Sequence, residues 1–306
     1  MSFRCSAKIV SRTQGKSVVN SAAYISRSRL TSDELGLTFD YTSKQSSPCL
    51  SSKIYAPKWA DWTLDRSTLW NKVEQRETHK KAQFARLIEL NLPHQLSPES
   101  RASTLEAFVK IHFISLGMVA DVNIHSPDIK GDPRNHHAHI LLTLRGVDAN
   151  GFVGNKIREW NKKSVLEGWR EMWALSCSKS LESAGFTQEA EQWRHGHLTL
   201  KDQQNAAIER DDLQYAEKCN HIPDKHHGPS IHAIIKNEDE SYVQQHREIE
   251  LKDAQISKDK RLDKLKNKCQ KLEAERDQLK CVLSLYRPLG KELSRAAPNR
   301  DDDRGR

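Results

Sequence analysis

Apolar and polar positions alternate from the start of the chain. FRCSAKIVS (3–11) places Phe3, Cys5, Ala7 and Ile9 on one face, which predicts a strand. Gly15 interrupts it, and SVVNSAAYISRSRL (17–30) predicts a helix with a basic end. Residues 31–56 are rich in Ser and Thr and read as loop with room for one short strand. Trp59, Trp62, Leu69, Trp70 and Val73 suggest a long amphipathic helix reaching about Lys81. QFARLIELNLP (83–93) reads as a strand ended by Pro93. The next helix, 97–118, has Ser97 as its N-cap, Pro98 at the first helical position and Glu99 in the first turn. MVADVNIH (118–125) and HHAHILLTLRG (136–146) are strands, and the intervening SPDIKGDPRN suits a hairpin. An amphipathic helix over 164–185 stops at Gly185.

The texture changes near residue 190. The pattern predicts a first domain over 1–190, a polar, His-rich extension over 191–235, and a charged helix with a disordered tail over 236–306. In the last segment Leu262, Leu265, Leu272, Leu279 and Leu283 fit a short heptad, with Cys269 and Arg276 in the other seam positions. A weak coiled coil that pairs two copies and a single solvated helix both fit that pattern.

Composition narrows the class. Of 306 residues 36% are hydrophobic and 29% charged, enough for one sizeable core but not for one that uses the whole chain. No apolar run approaches the roughly 18 residues of a membrane span, and the N-terminus lacks the apolar stretch of a signal peptide. Cysteines at 5, 49, 177, 219, 269 and 281 form no C-x-x-C pair, so reduced thiols in a cytoplasmic protein are expected. A formal charge of +8 favours a polyanionic partner, nucleic acid first.

Strand phase then picks out a site. Val119, Asp121, Asn123 and His125 share one face of their strand, and His137, His139 and Leu141 share a face of the next. Paired as a hairpin, the strands bring His125, His137 and His139 together. Three neutral imidazoles make an open site for a divalent cation. His136 points the other way. Tyr24 is the second singular feature, lying just before Arg27 and Arg29, with Arg12 and Lys16 upstream. A phenol beside arginines is easier to ionise and nearer to phosphate, and tyrosine can act as a covalent nucleophile.

These segments, in this order, resemble the MobA/MobL-type plasmid mobilisation relaxases of the HUH endonuclease superfamily. The resemblance is carried by KIVSRTQGKSVVNSAAYISRSRL, by FDYTSK (39–44), and by the L-W-N-x-V-E segment at Leu69–Glu74. It continues in the Gly117–His125 strand, the Asn135–His139 motif and the R-E-W-N turn at Arg158–Asn161, and more weakly in Pro223–Pro229. It implies an α+β fold, a two-layer sandwich whose central antiparallel sheet bears the active site on one face and helices on the other, followed by a helical C-terminal extension. Tyr24 would be the nucleophile, and His125, His137 and His139 would hold the metal, Mg²⁺ or Mn²⁺ by family, with Zn²⁺ also suited. Asp121 would orient a histidine.

Two departures stand out. His136 replaces the proline of N-P-H-A-H, and the family's A-R-E-I segment reads Ala85-Arg86-Leu87-Ile88, without its acidic residue. Glu89 lies on the same strand face and is a candidate to take over; a plain surface role is the equal alternative. Arg12, Lys16, Arg27 and Arg29 are candidate DNA contacts. The implied function is nicking and rejoining of one strand at an origin of transfer through a 5′-phosphotyrosyl intermediate. The implied partners are single-stranded or supercoiled origin DNA, auxiliary mobilisation proteins and a type IV secretion coupling protein. The implied setting is a bacterial cytoplasm, with the DNA-linked form exported to a recipient cell. A rolling-circle replication initiator, a three-His hydrolase of small molecules and a non-catalytic metal-containing DNA-binding protein are the rival readings.

Overall fold

The computed structural model describes residues 3–14, 17–44, 46–220, 266 and 270–280. In chain order the elements are β1 (Cys5–Ser11), α1 (Val18–Ser26), a hairpin of β2 (Arg29–Ser32) and β3 (Leu37–Asp40), β4 (Cys49–Tyr55), α2 (Arg66–Arg76), β5 (Gln83–Asn91), α3 (Pro98–His112), β6 (Ala120–His125), β7 (His137–Thr143), a short hairpin of β8 (Gly146–Val147) and β9 (Phe152–Val153), α4 (Lys163–Ser183), α5 (Thr187–His195), α6 (Leu200–Glu209) and α7 (Leu213–Cys219). The fold is α+β. Its central sheet has five antiparallel strands in the order β1-β5-β7-β6-β4.

Each face of this sheet follows from strand alternation. On one side Ile88, Leu90, Val122, Ala138, Ile140 and Leu142 pack against Leu105 and Phe108 of α3 and Trp169 and Trp173 of α4. The other side is divided along its length. Its apolar end, with Val10, Ala85, Val119 and Leu141, is covered by Val18, Ala22 and Ile25 of α1 and Leu69, Trp70 and Val73 of α2. Its polar end carries Glu89, Asn123, His125, His137 and His139. Helices therefore lie against both faces, and the polar end stays open because it has no apolar area to bury.

Several element boundaries differ from the expected ones. The helix predicted over 17–30 ends at Ser26, because Arg27 turns left-handed (φ 53°) and its N–H caps Ala23. Arg27 and Arg29 are thus not a basic helix end; Arg29 lies in β2. Residues 31–56 hold more strand than the one short strand expected: they complete the β2–β3 hairpin, turned at Gly36 (φ 63°), and contain β4, an edge strand of the main sheet, with loop at 41–44 and 46–48. The helix predicted from Trp59 to Lys81 is a single turn at Asp61–Leu64 followed by α2, whose N-cap Asp65 accepts from the Thr68 N–H at 2.8 Å. The α3 cap is as expected: Ser97 accepts from Ser100 N–H at 3.1 Å, with Pro98 and Glu99 in the first turn. That helix stops at His112 rather than 118. Residues 187–219 fold into α5–α7, and Trp193 meets Phe3 edge-on at 5.8 Å. In the C-terminal segment Lys266 and residues 270–280 are helical, with Leu272 and Leu279 exposed. Arg276 is exposed on the same helix, whereas Leu262, Leu265, Cys269, Leu283, Pro223–Pro229 and the tail lie outside the described residues. Among the described residues no helix is long and apolar enough to cross a membrane.

Candidate active site

Register brings the histidines together. β6 and β7 pair so that His125 faces His137 and Asn123 faces His139. The three rings have centroids 4.9–5.4 Å apart, and one nitrogen from each lies within 4.8 Å of the others. His125 Nε2 meets the Ile25 carbonyl at 2.6 Å and His137 Nδ1 meets the Asn135 carbonyl at 2.9 Å. A carbonyl can only accept, so both nitrogens carry the proton and the other nitrogen of each ring keeps a bare lone pair. Nδ1 of His125 and of His139 are buried without a hydrogen-bond partner. Orphaned buried nitrogens of this kind cost roughly 1–3 kcal/mol each unless something binds them. Three bare or unsatisfied imidazoles around one point fit a divalent cation.

Burial also keeps these rings neutral. Chiefly through desolvation, His125 is held down to about 4 and His139 to about 3, with nearby cations adding to both. The unfolded chain protonates its histidines below about pH 6.5. The stability contributed by these two rings is therefore complete above about 6.5 and is lost as pH falls through about 4 for His125 and about 3 for His139. The urea midpoint of metal-free protein is expected to drop between pH 7 and pH 5, and His139→Gln to flatten that drop. Equal slopes in the two proteins would assign the acid sensitivity to other groups.

The helix that carries Tyr24 is fixed at both ends. At its start Ser17 accepts from Asn20 N–H, and the buried Glu74 carboxylate of α2 accepts from Ser17 Oγ (2.5 Å) and Val18 N (2.9 Å). Carboxylate charge at a helix N-terminus is favourable. A third donor, Ser32 Oγ at 2.7 Å, ties β2 to the same carboxylate. Near its end, the Ile25 carbonyl meets His125, so the residue after Tyr24 is joined to the triad. Tyr24 is 38% exposed and borders an open cavity of about 520 Å³ shared with Lys8, Asn20, Tyr41 and Leu87. Its hydroxyl accepts from Lys44 Nζ at 2.9 Å, Arg27 lies over its ring at 4.7 Å, and Tyr41 meets it edge-on at 5.2 Å. Lys44 is the main reason the phenol sits below its usual value; Arg27 adds to this and partial burial opposes it.

Asp121 is fully buried and, among the described residues, makes no hydrogen bond to a histidine. Its carboxylate accepts from Arg66 Nε (2.8 Å) and Nη2 (2.9 Å), from Trp70 Nε1 (2.9 Å) and from Asn123 Nδ2 (2.9 Å). Among the described residues its link towards the triad runs through Asn123, which faces His139 across the strands. Glu89 also faces His139 in register, yet its carboxylate pairs with Arg4 at 3.1 Å. Leu87, not Glu89, lines the cavity beside Tyr24.

The predicted basic residues part company. Arg27 is at Tyr24, whereas Arg12 is engaged by Glu34 (2.5 Å) and the Glu77 carbonyl (2.9 Å) and lies over Phe84. Arg29 is exposed on β2, and Lys16 lies outside the described residues. Lys44, Arg66 and Glu74 were not singled out by the sequence as site residues. Lys44 and Glu74 sit inside the FDYTSK and L-W-N-x-V-E segments, which was their only signal.

Comparison with known proteins agrees with this picture. The MobA/MobL family matches residues 16–237. The conjugal transfer protein TraA of Agrobacterium fabrum is 37% identical over 164 residues, 50% of this chain and 14% of that protein. The mobilization protein MobL of Acidithiobacillus ferridurans is 26% identical over 273 residues, 80% of this chain and 66% of that protein. This chain thus spans about one-seventh of the TraA relative and about two-thirds of MobL. A solved structure from work on the molecular basis of vancomycin resistance transfer in Staphylococcus aureus superposes with a TM-score of 0.55 at 35% identity. That match covers 61% of this chain and 96% of that one.

Proposed function

The chain belongs to the MobA/MobL family, and from that premise we propose that it nicks and rejoins one strand of DNA at an origin of transfer, with Tyr24 as the nucleophile. The observation that carries this is the join between α1 and the triad. The helix bearing an exposed, cation-held phenol is tied through the Ile25 carbonyl to a three-histidine cluster with bare nitrogens.

The chemistry follows from what each group can do. Arg27 and Lys44 draw the scissile phosphate towards the phenol, as cations do for any phosphodiester. His125, His137 and His139 would hold a divalent cation, Mg²⁺ or Mn²⁺ in this proposal with Zn²⁺ compatible, which when bound would polarise the non-bridging oxygens of that phosphate. The Tyr24 oxygen forms a bond to phosphorus and the bond to the 3′ oxygen breaks. In net balance the phenolic proton ends on that 3′ oxygen. The phosphodiester is conserved as a 5′-phosphotyrosyl ester, so attack by a 3′-OH restores the strand without an external energy source.

The substrate in this proposal is single-stranded or locally unwound supercoiled origin DNA. Auxiliary mobilisation proteins and a secretion coupling protein are the partners, and the DNA-linked form leaves the cytoplasm with its strand. Incubating the protein with end-labelled single-stranded origin DNA and Mn²⁺, followed by denaturing electrophoresis, tests it. A covalent protein–DNA band, with a polymerase-extendable 3′-OH on the released fragment, is expected. Cleavage without a covalent band would favour simple metal-assisted hydrolysis.

A further inference from the structure

The FDYTSK segment has so far only marked a resemblance, but its geometry gives it a task. β3 ends at Asp40, whose carboxylate accepts from the Thr42 N–H (3.0 Å) and Thr42 Oγ1 (2.7 Å). Lys44 N–H then closes onto the Tyr41 carbonyl at 3.2 Å, and Tyr41 N–H is anchored to the Ser28 carbonyl at 3.2 Å. A side chain that bonds its own backbone two residues on sets a compact turn. This turn aims two side chains back at α1. The Tyr41 hydroxyl donates to Asn20 Oδ1 at 2.8 Å, and the Lys44 ammonium donates to the Tyr24 hydroxyl at 2.9 Å. Lys44 Nζ is also 4.2 Å from the centre of the Tyr24 ring. Lys44 is thus held against the phenol from a segment 20 residues further along the chain.

What else faces the phenol points the same way. The cavity beside it is lined by Lys8, Asn20, Tyr41 and Leu87 among others, and the described residues of its lining include no carboxylate. Arg27 covers the ring and donates to the Tyr24 carbonyl, but its Nε is bonded to the Ser47 carbonyl at 3.2 Å. Among the described residues Lys44 makes the 2.9 Å hydrogen bond to the oxygen itself, and Arg27 adds its charge from over the ring. An ammonium cannot accept the phenolic proton. Its chemistry there is to stabilise negative charge as it develops on that oxygen, which a preformed donor does without reorganisation.

We propose that Lys44 is a catalytic residue of the cleavage and joining reactions, donating to the Tyr24 oxygen while it carries negative charge. This rests on the assignment of Tyr24 as nucleophile. In cleavage the proton leaves the phenol, the oxygen bonds to phosphorus and the 3′ oxygen departs and is protonated. In joining the same oxygen leaves phosphorus as a phenolate and is reprotonated. The charge develops on one atom in both directions, so Lys44 acts on both rates and little on the balance between intact and cleaved strand.

The test uses full-length protein and single-turnover reactions at saturating single-stranded origin DNA with Mn²⁺. Lys44→Met and Lys44→Gln are expected to slow cleavage and joining alike by about 10²-fold, the scale of removing one donor from a developing oxyanion. The ratio of cleaved to intact strand should stay within about threefold. Lys44→Arg should recover at least tenfold of the lost rate, because a guanidinium can replace the donor. Lys44 lies on a surface turn outside the hydrophobic cores, and thermal melts of all three variants are expected to overlay the wild type. Wild-type rates at saturation with weaker binding and a shallower salt dependence would make Lys44 a simple phosphate contact and overturn the inference alone. Peptide mapping of the wild-type adduct separates the two assignments: an adduct on a residue other than Tyr24 removes both.

Discussion

Tyr24→Phe is expected to abolish the covalent adduct and lower strand cleavage by at least about 10⁴-fold, the scale on which enzymes lose activity when their nucleophile is removed. The substitution deletes one oxygen, which among the described residues accepts its 2.9 Å hydrogen bond from Lys44. The ring keeps its edge contact with Tyr41 and the cations over its face. A hydrogen bond at a site this exposed is worth at most about 1 kcal/mol, so the melting curve should barely move. Affinity for origin DNA should stay within a few-fold at fixed salt, because the charges that bind phosphate are untouched. The structure also identifies the residue that could mislead the assay. Tyr41 stands beside Tyr24, but its hydroxyl is committed to Asn20. Tyr24→Phe/Tyr41→Phe therefore belongs in the experiment. A residual adduct in the single variant that vanishes in the double one would move the nucleophile to Tyr41. An adduct that survives both would sink the tyrosine assignment near α1 altogether.

The candidate site was legible where its geometry is local. Two strands with a period of two and a short connection are enough to bring His125, His137 and His139 to one place, and the register does so. The cap on α3 was equally local, since Ser97, Pro98 and Glu99 act within one turn. What escaped depends on distant pairing. β4 reads CLSSKIY, and most of it is exposed at the edge of the sheet, so its membership comes from backbone bonds to β6 and not from an apolar pattern. α1 ends early because Arg27 turns left-handed, which an arginine does not announce. Lys44 acts across 20 residues, and Glu74 across 56 residues to Val18. Asp121 shows the limit of phase arguments. Its face was assigned correctly, but the partner that takes its charge is Arg66, on another element 55 residues away.

That partnership sets the largest stability effect expected in the molecule. Asp121 has no solvent exposure, and the Arg66 side chain is 18% exposed. Two bonds from the guanidinium and one each from Trp70 and Asn123 satisfy the carboxylate. The same network pins α2 to the sheet, because Trp70 is itself fully buried in the core beneath α1. Breaking a buried pair by removing one partner costs roughly 3–5 kcal/mol, whereas replacing both by apolar residues is often close to neutral. Arg66→Met strands a carboxylate that cannot reach water, and is expected at the upper end of that range. Asp121→Leu leaves a guanidinium that can swing partly into solvent, and is expected near 3 kcal/mol. The double variant Arg66→Met/Asp121→Leu should recover most of the loss, giving a coupling of at least about 2 kcal/mol in urea denaturation. Asn123 links the network to the site. Its amide donates to Asp121, its carbonyl accepts from Ser52 Oγ at 2.6 Å, and it faces His139 across the strands. Losing Asp121 frees that amide, so the double variant should regain stability but bind divalent ions up to about tenfold more weakly, as when the partners behind metal ligands are removed. Single variants that each cost under about 1 kcal/mol would show that the Asp121–Arg66 pair does little to hold α2. A double variant with wild-type metal affinity would disconnect the Asp121 network from the histidines.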